Sequence, residues 1–208
     1  MSVPENRVQD LTASTAPSIA RTLLRLPTLQ EDSVPAESCD VIDEWLLSDG
    51  TKVCVRLLNA EDRALEVAFL NSLSDQSRYF RLLTPSREIS ADLLSQLLDL
   101  DDNRRAALVA LIGDAADMRI IAVARYAATN SAGSAEIGVT VADEWHRKGI
   151  AERLIKLLSH YAKKRSIVRF EGIVLPENHA MLALARKLGF ILHFDAEKHL
   201  FVMERDLN

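Results

Sequence analysis

The chain has 208 residues, of which 48% are hydrophobic and 26% are charged, and this composition excludes global disorder. The longest purely apolar run, residues 106–112, is far shorter than the roughly 20 residues that a membrane-spanning helix needs. The formal net charge of -5 does not draw the whole molecule to nucleic acid or anionic lipid, so any bound anion needs a local patch. Two cysteines, and a start without the apolar stretch of a signal peptide, predict a reduced, cytoplasmic protein.

The first forty residues differ in composition from the rest of the chain. Four of the six prolines fall within residues 1–40, and no aromatic residue precedes Trp45. We therefore predict a flexible Pro/Ser/Thr-rich tail over residues 1–40 and one folded domain over residues 41–208. Within the tail, residues 19–26 have helical spacing and could form a fraying helix or a helix that docks on the domain.

A hairpin and three helices are predicted in the first part of the domain. The Asp49-Gly50 pair between two apolar runs is typical of a tight turn and predicts strands over residues 45–47 and 52–58. Asn59 is followed by acidic residues and predicts the start of a helix. Further helices are predicted near residues 77–83 and from Ser90 onward.

The remaining elements alternate between strands and helices. Strands are predicted over residues 106–112, 119–126, 136–141, 167–175, 190–194 and 200–204. Helices are predicted from Lys148 to about residue 165 and from Asn178 to a cap at Gly189. This order predicts a mixed α/β (α+β) domain whose sheet combines antiparallel hairpins with one βαβ unit.

The turn between the predicted strand 136–141 and the helix after it carries two cations. Arg147 and Lys148 stand at the N-terminal end of the helix, where a positive charge costs roughly 0.3 to 1 kcal/mol. This placement indicates either a bound anion such as phosphate or an exposed basic turn. Gly149 would let a ligand approach the backbone, and Ala151 would keep the contact shallow.

Several common site motifs do not occur in the sequence. A Walker A loop, a Rossmann glycine fingerprint, a Gly-x-Ser-x-Gly elbow and a His-Glu-x-x-His helix are all missing. The five histidines are scattered along the chain. We therefore predict no metal site.

Two blocks of residues resemble the GNAT N-acetyltransferases. The run 146–151, His-Arg-Lys-Gly-Ile-Ala, is similar to their Gln/Arg-x-x-Gly-x-Gly/Ala signature, and residues 178–190 resemble their second block. Residues 77–88, and Asp49-Gly50-Thr51 followed by Val55-Arg56, resemble the Pat-type protein lysine acetyltransferases. The resemblance implies a GNAT-like fold, with a central, mostly antiparallel twisted sheet, a βαβ cofactor-binding unit and helices on both faces.

The resemblance also implies acetyl-CoA as co-substrate. The backbone N–H groups of residues 147–152 would hold the pyrophosphate, and the strand would pair with the pantetheine arm. Gly138 suggests a bulge in that strand, and the N–H of Val139 could stabilise an oxyanion. The implied cofactor contacts are Val139, Val141, His146, Arg147, Lys148, Gly149, Ile150, Ala151, Glu152 and Asn178.

The implied reaction needs a base for the amine acceptor, which could be a protein lysine or a small amine. GNAT enzymes commonly place a base glutamate at this strand, and Glu136 is our candidate, with Glu171 in reserve. A salt bridge at the sheet edge is the alternative role of Glu136. Asp143 and Glu144 are expected to shape the turn.

Two positions depart from the family pattern. His146 stands where glutamine or arginine is usual, and Ala185 stands where many GNAT enzymes carry a tyrosine as general acid; Tyr79 is a substitute by analogy alone. An N-acetyltransferase is therefore weighed against a non-catalytic acyl-CoA-binding regulatory domain and a structural module that binds a partner through residues 23–26. None of these three candidate functions requires binding to nucleic acid or to a membrane.

Overall fold

The computed structural model describes residues 41–83, 90–101, 103–114 and 117–207. The predicted tail over residues 1–40, including its helical segment, lies outside these residues. So does the end of the segment 77–88 that resembles the Pat-type enzymes. Across the described part of the chain, no helix is long and apolar enough to cross a membrane.

The structure describes eight strands that form a single sheet. In chain order they are β1 Asp43–Leu46, β2 Lys52–Leu57, β3 Arg105–Ile112, β4 Arg119–Ala128, β5 Ser134–Val141, β6 Arg169–Val174, β7 Ile191–Asp195 and β8 Leu200–Asp206. Their order in the sheet is β1-β2-β3-β4-β5-β6-β8-β7. The pairs are antiparallel except β5 with β6, which are joined by a helical crossover and therefore run parallel.

Five α-helices accompany the sheet in the described residues. They are α1 Arg63–Ser72, α2 Asp75–Leu82, α3 Ala91–Leu98, α4 Ile150–Lys163 and α5 His179–Lys187. Polar side chains cap the starts of several helices, as the sequence predicts: the oxygens of Ser90 and Asn178 accept backbone N–H groups of α3 and α5. Asn59 caps the short 3-10 turn over residues 60–62 that leads into α1.

The core lies on both faces of the central strands. Residues 120–127 of β4 are all buried, which means that helices cover the sheet on each side. Helix α4 contributes the fully buried Leu154, Ile155 and Leu158, whereas α1 packs on the other face, where Glu66 pairs with Arg125 of β4. The predicted mixed fold with antiparallel hairpins and one βαβ unit is confirmed.

Two local predictions were wrong. The helix expected from Lys148 begins at Ile150, because Arg147 and Gly149 adopt left-handed φ angles of 61° and 81° that interrupt a helix. The bulge expected at Gly138 does not occur, since β4 and β5 keep one continuous register through the pair Arg125–Gly138. A side chain packs on this glycine instead: a Cβ atom there would lie 3.3 Å from Nη1 of Arg81.

Candidate active site

The site is built where two neighbouring strands separate. Strands β5 and β6 pair only over residues 134–136 and 169–171. Beyond Glu136, residues 137–141 have no partner on the β6 side among the described residues, although they remain paired with β4 on the other side. Their free N–H and C=O groups can therefore bind an extended ligand as an added strand does.

A cavity of about 700 Å³ opens at this separation. Its volume lies in the range of sites for drug-sized ligands and cofactors. Nine of the ten residues proposed as cofactor contacts line it: Val139, Val141, His146, Arg147, Gly149, Ile150, Ala151, Glu152 and Asn178. Sequence reasoning missed the contributions of two helices, which are Ser77, Phe80 and Arg81 from α2 and Ala180, Met181, Leu184 and Lys187 from α5.

The turn before α4 presents backbone donors to the cavity. Gly149 is the N-cap residue, and no side chain caps the helix. The first N–H groups of a helix have no partner within the helix, so those of Ile150, Ala151 and Glu152 are available to an anion. The left-handed φ of Arg147, costly for a residue with a side chain, helps to shape this turn.

The Lys148 side chain was expected to face the phosphates of the cofactor, but it lies outside the cavity. Its Nζ lies 2.7 Å from Oδ2 of Asp49 and 5.2 Å from the centre of the Trp145 ring. Lys148 is the one proposed contact that does not line the cavity. Its ammonium ties the β1–β2 hairpin to the turn, because Asp49 belongs to that hairpin.

Glu152 is also engaged within the protein. Its carboxylate accepts hydrogen bonds from Lys156 at 2.8 Å and from Lys187 at 2.5 Å. These two ammonium groups lower the pKa of Glu152 to about 2. The side chain therefore neutralises nearby lysines, and only the backbone of Glu152 is left for an anionic ligand.

His146 and Asn178 have partners that fix their orientations. Nε2 of His146 lies 2.9 Å from the carbonyl oxygen of Val141, at the end of the free β5 edge. Oδ1 of Asn178 accepts the N–H of Met181, and this bond caps α5. The amide NH₂ group of Asn178 is consequently the part of this side chain that a ligand can use.

Glu136 stands at the point where β5 leaves β6. It is only 8% exposed, its Oε2 has no hydrogen-bond partner, and it is in register with Glu171 across the parallel pair. Burial, and then the charge of Glu171, raise the pKa of Glu136 to about 7. The residue lines neither the large cavity nor the smaller one beside it, and it lies two positions from Gly138, which lines the smaller one.

Asp143 holds α2 against the cavity. It accepts the Ser74 N–H at 2.9 Å, the Ser74 hydroxyl at 2.7 Å and the Ser77 hydroxyl at 2.8 Å. Glu144 accepts the indole N–H of Trp145 at 2.8 Å. Of the two acidic residues expected to shape the turn, Glu144 bonds within it, whereas the Asp143 side chain fixes the helix that carries Phe80 and Arg81.

No tyrosine lines the cavity among the described residues. Tyr79 on α2 is 42% exposed and is not part of the lining, while Ala185 on α5 is fully buried in the core. The structure therefore does not support Tyr79 as the general acid in place of the tyrosine that is missing at position 185. The leaving thiolate would have to take its proton from solvent or from another group.

Comparisons with known proteins agree with this geometry. A family model described as an acetyltransferase (GNAT) domain matches residues 52–191. The chain is 34% identical to acetyltransferase PA5475 of Pseudomonas aeruginosa over 78% of this chain and 89% of that protein. The GNAT domain of S. lividans PAT superposes with a TM-score of 0.72 and 29% identity, over 79% of this chain and 96% of that one.

A longer protein shares the fold. The cAMP-binding acyltransferase from Mycobacterium smegmatis superposes with a TM-score of 0.55 and 24% identity over 80% of this chain. The match covers 47% of that protein, so this chain spans about half of its length.

Proposed function

This chain belongs to the GNAT acetyltransferase family and is an N-acetyltransferase that uses acetyl-CoA, and we propose that it acetylates a protein lysine with Glu136 as general base. The observation that carries the proposal is the buried Glu136 carboxyl group, with a pKa of about 7, at the opening between β5 and β6. The comparisons favour an N-acetyltransferase over the non-catalytic acyl-CoA-binding domain that Ala185 would suit.

The donor would bind along the turn and the free strand edge. The helix N–H groups of residues 150–152 suit the pyrophosphate, and Arg147 adds a cation at the same place. The unpaired edge of residues 137–141 suits the amide groups of the pantetheine arm. Such a pose directs the thioester toward Val139 and Asn178, where the lining continues into the smaller cavity.

The base addresses the main obstacle of the reaction. A lysine amine with a pKa of about 10.4 is neutral in roughly one molecule in a thousand near pH 7.4, a handicap of about 4 kcal/mol. Glu136 would take the ammonium proton directly or through one bridging water. The neutral nitrogen then attacks the thioester carbonyl, forms the C–N bond and gives up a second proton. The C–S bond breaks, and the CoA thiolate takes up a proton and leaves as the thiol.

Acidic residues favour a cationic acceptor. Glu136, Glu171 and Glu204 are in register across β5, β6 and β8, and side chains in register point to the same face of a sheet. The cation Arg169 lies 3.7 Å from Glu204 and also interacts with the charge of Glu171. This row of carboxylates attracts an amine that arrives as an ammonium ion.

A comparison of acceptors tests the proposal. The purified chain would be incubated with acetyl-CoA and a protein lysate, and acetyl-lysine would be measured by mass spectrometry, with Glu136→Gln as the matched control. We expect sites that are acetylated by the native chain and not by the variant. If a polyamine or an amino acid is acetylated while no protein gains acetyl groups above the uncatalysed background, the acceptor is a small amine and the protein lysine proposal is wrong.

A further inference from the structure

We propose that Arg81 binds a carboxylate at the inner end of the donor cavity, so that the enzyme also accepts CoA thioesters of short dicarboxylic acids, such as succinyl-CoA. The inference rests on the proposed transfer from an acyl-CoA to an amine. It concerns the acyl group that is transferred rather than the acceptor.

Buried charges near Arg81 do not balance in the described residues. Nη2 of Arg125 pairs with Oε1 of Glu66 at 2.6 Å, and both side chains are almost fully buried. Arg81 is a second guanidinium beside the Glu66 carboxylate. The charge of Arg125 repels it, and the charge of Glu66 attracts it. Two cations and one anion leave one positive charge without a counter-charge, and such a buried charge is costly unless a partner arrives.

Arg81 keeps its proton despite this environment. Burial first, and then the charge of Arg125, lower its pKa to about 9, and Glu66 offsets part of the effect. The guanidinium is therefore still cationic at neutral pH. Its Nη2 atom is buried and has no hydrogen-bond partner, although the residue as a whole is partly exposed.

The position of Arg81 directs this unpaired N–H group toward the acyl end of the CoA thioester. Arg81 lines both the large cavity and a smaller one of about 60 Å³, whose other walls include Phe80, Met181 and Met203. Gly138 makes the approach possible, because its missing Cβ would lie 3.3 Å from Nη1 of Arg81. Since the adjacent Val139 and Asn178 border both cavities, the small cavity lies just beyond the proposed thioester position.

The small cavity is larger than an acetyl group requires. A cavity volume of about 10–15 Å³ is enough to hold one water molecule. The small cavity of about 60 Å³ therefore has room for a longer acyl chain than acetyl. An arginine fork binds a carboxylate with two parallel hydrogen bonds, whereas a methyl group would leave the guanidinium unpaired. A terminal carboxylate would therefore neutralise the Arg81 guanidinium and occupy the remaining volume of the small cavity.

The transfer step is the same as for acetyl. The neutral amine nitrogen forms a bond to the thioester carbonyl carbon and gives up one proton, the C–S bond breaks, and the sulfur leaves with the electron pair and takes up a proton. The distal carboxylate takes no part in bond making and stays on the amide product. No oxidant, reductant or further co-reactant is needed.

Paired affinities test the proposal. Isothermal titration calorimetry would measure the affinity of the full chain for succinyl-CoA and for butyryl-CoA, which has the same four-carbon acyl chain with a methyl in place of the carboxylate. We expect succinyl-CoA to bind at least tenfold more tightly than butyryl-CoA. Arg81→Met should remove this preference, and Arg81→Lys should retain part of it. The ratio within one variant cancels any general loss of binding.

The matched control is Arg78→Met on the same helix, because Arg78 lines neither cavity and donates to the carbonyl of Leu73 at 3.1 Å. It should keep the native preference. Equal or weaker binding of succinyl-CoA to the native chain, or a preference that survives Arg81→Met, overturns the proposal. Thiol release from acetyl-CoA with an amine is assayed separately, so a chain that uses acetyl-CoA but rejects succinyl-CoA refutes this inference and leaves the proposed function standing.

Discussion

Replacing Glu136 by glutamine should lower the turnover number at least a hundredfold while leaving the affinity for CoA nearly unchanged. Glutamine keeps the size and polarity of the side chain but cannot accept a proton. A positioned base contributes typically 10²- to 10⁴-fold to the rate. Glu136 lines neither cavity, so a loss of donor affinity is not expected from this substitution.

The pH profile provides the sharper measurement. A base with a pKa of about 7 is protonated below that value, so kcat/KM of the native chain should fall about tenfold per pH unit on the acidic side. Glu136→Gln should lack this limb. Glu171→Gln is the matched control: Glu171 raises the pKa of Glu136, and its removal should move the limb to lower pH while turnover persists.

Stability gives a readout that is independent of the acceptor. Folding raises the pKa of Glu136 from its ordinary value of 4.5 to about 7, so the contribution of its protonated form to stability is complete below 4.5 and is lost as the pH rises through 7. At 1.36 kcal/mol per unit, discounted for partial solvent access, the loss is about 1–2 kcal/mol. Glu136→Gln should therefore raise the melting temperature at pH 8 more than at pH 4.

Near-normal turnover in Glu136→Gln would refute the assignment of the base. In that case the same profile recorded for Glu171→Gln would show whether the role belongs to Glu171 or to solvent. A melting temperature that responds to Glu136→Gln equally at both pH values would show that this carboxyl group titrates in the ordinary range.

Three further changes have defined outcomes. Arg147→Glu should weaken CoA binding at least tenfold by calorimetry, whereas Lys148→Glu should weaken it far less, because the Lys148 ammonium already pairs outside the cavity. Asp143→Ala removes three hydrogen bonds to the segment that begins with Ser74, and a loss of about 1–3 kcal/mol should appear in denaturant unfolding together with weaker acetyl-CoA binding. Deletion of residues 1–35 should preserve the melting temperature and CoA affinity within error, and a drop of several degrees would contradict the predicted tail.

Local signals in the sequence were enough to find the elements and half of the residues that line the cavity. Hydrophobic periodicity and capping residues such as Asn178 place strands and helices, and the run 146–151 marks the turn before α4 that lines the cavity. Contacts between distant residues could not be read in this way. Lys148 pairs with Asp49, 99 positions earlier, and Ser77 reaches Asp143, 66 positions later. Sequence spacing carries no information about such pairs.

Gly138 shows the same limit at a single residue. A glycine inside a strand is typical of a bulge, and that interpretation was wrong, because the register of β4 and β5 is regular here. The residue leaves space for Arg81, which arrives from a helix more than fifty positions earlier in the chain. Only the tertiary structure shows which group fills the place of the missing side chain.

The charges of the site separate the two substrates. Cationic and N–H donor groups lie along the donor cavity, from Arg147 and the start of α4 at the turn to Arg81 at the inner end. Carboxylates lie in register across β5, β6 and β8. An anionic CoA thioester is therefore attracted to the cavity and repelled by the carboxylate row, while an ammonium acceptor experiences the opposite forces. This arrangement favours amines over anionic acceptors, and higher salt should weaken that preference.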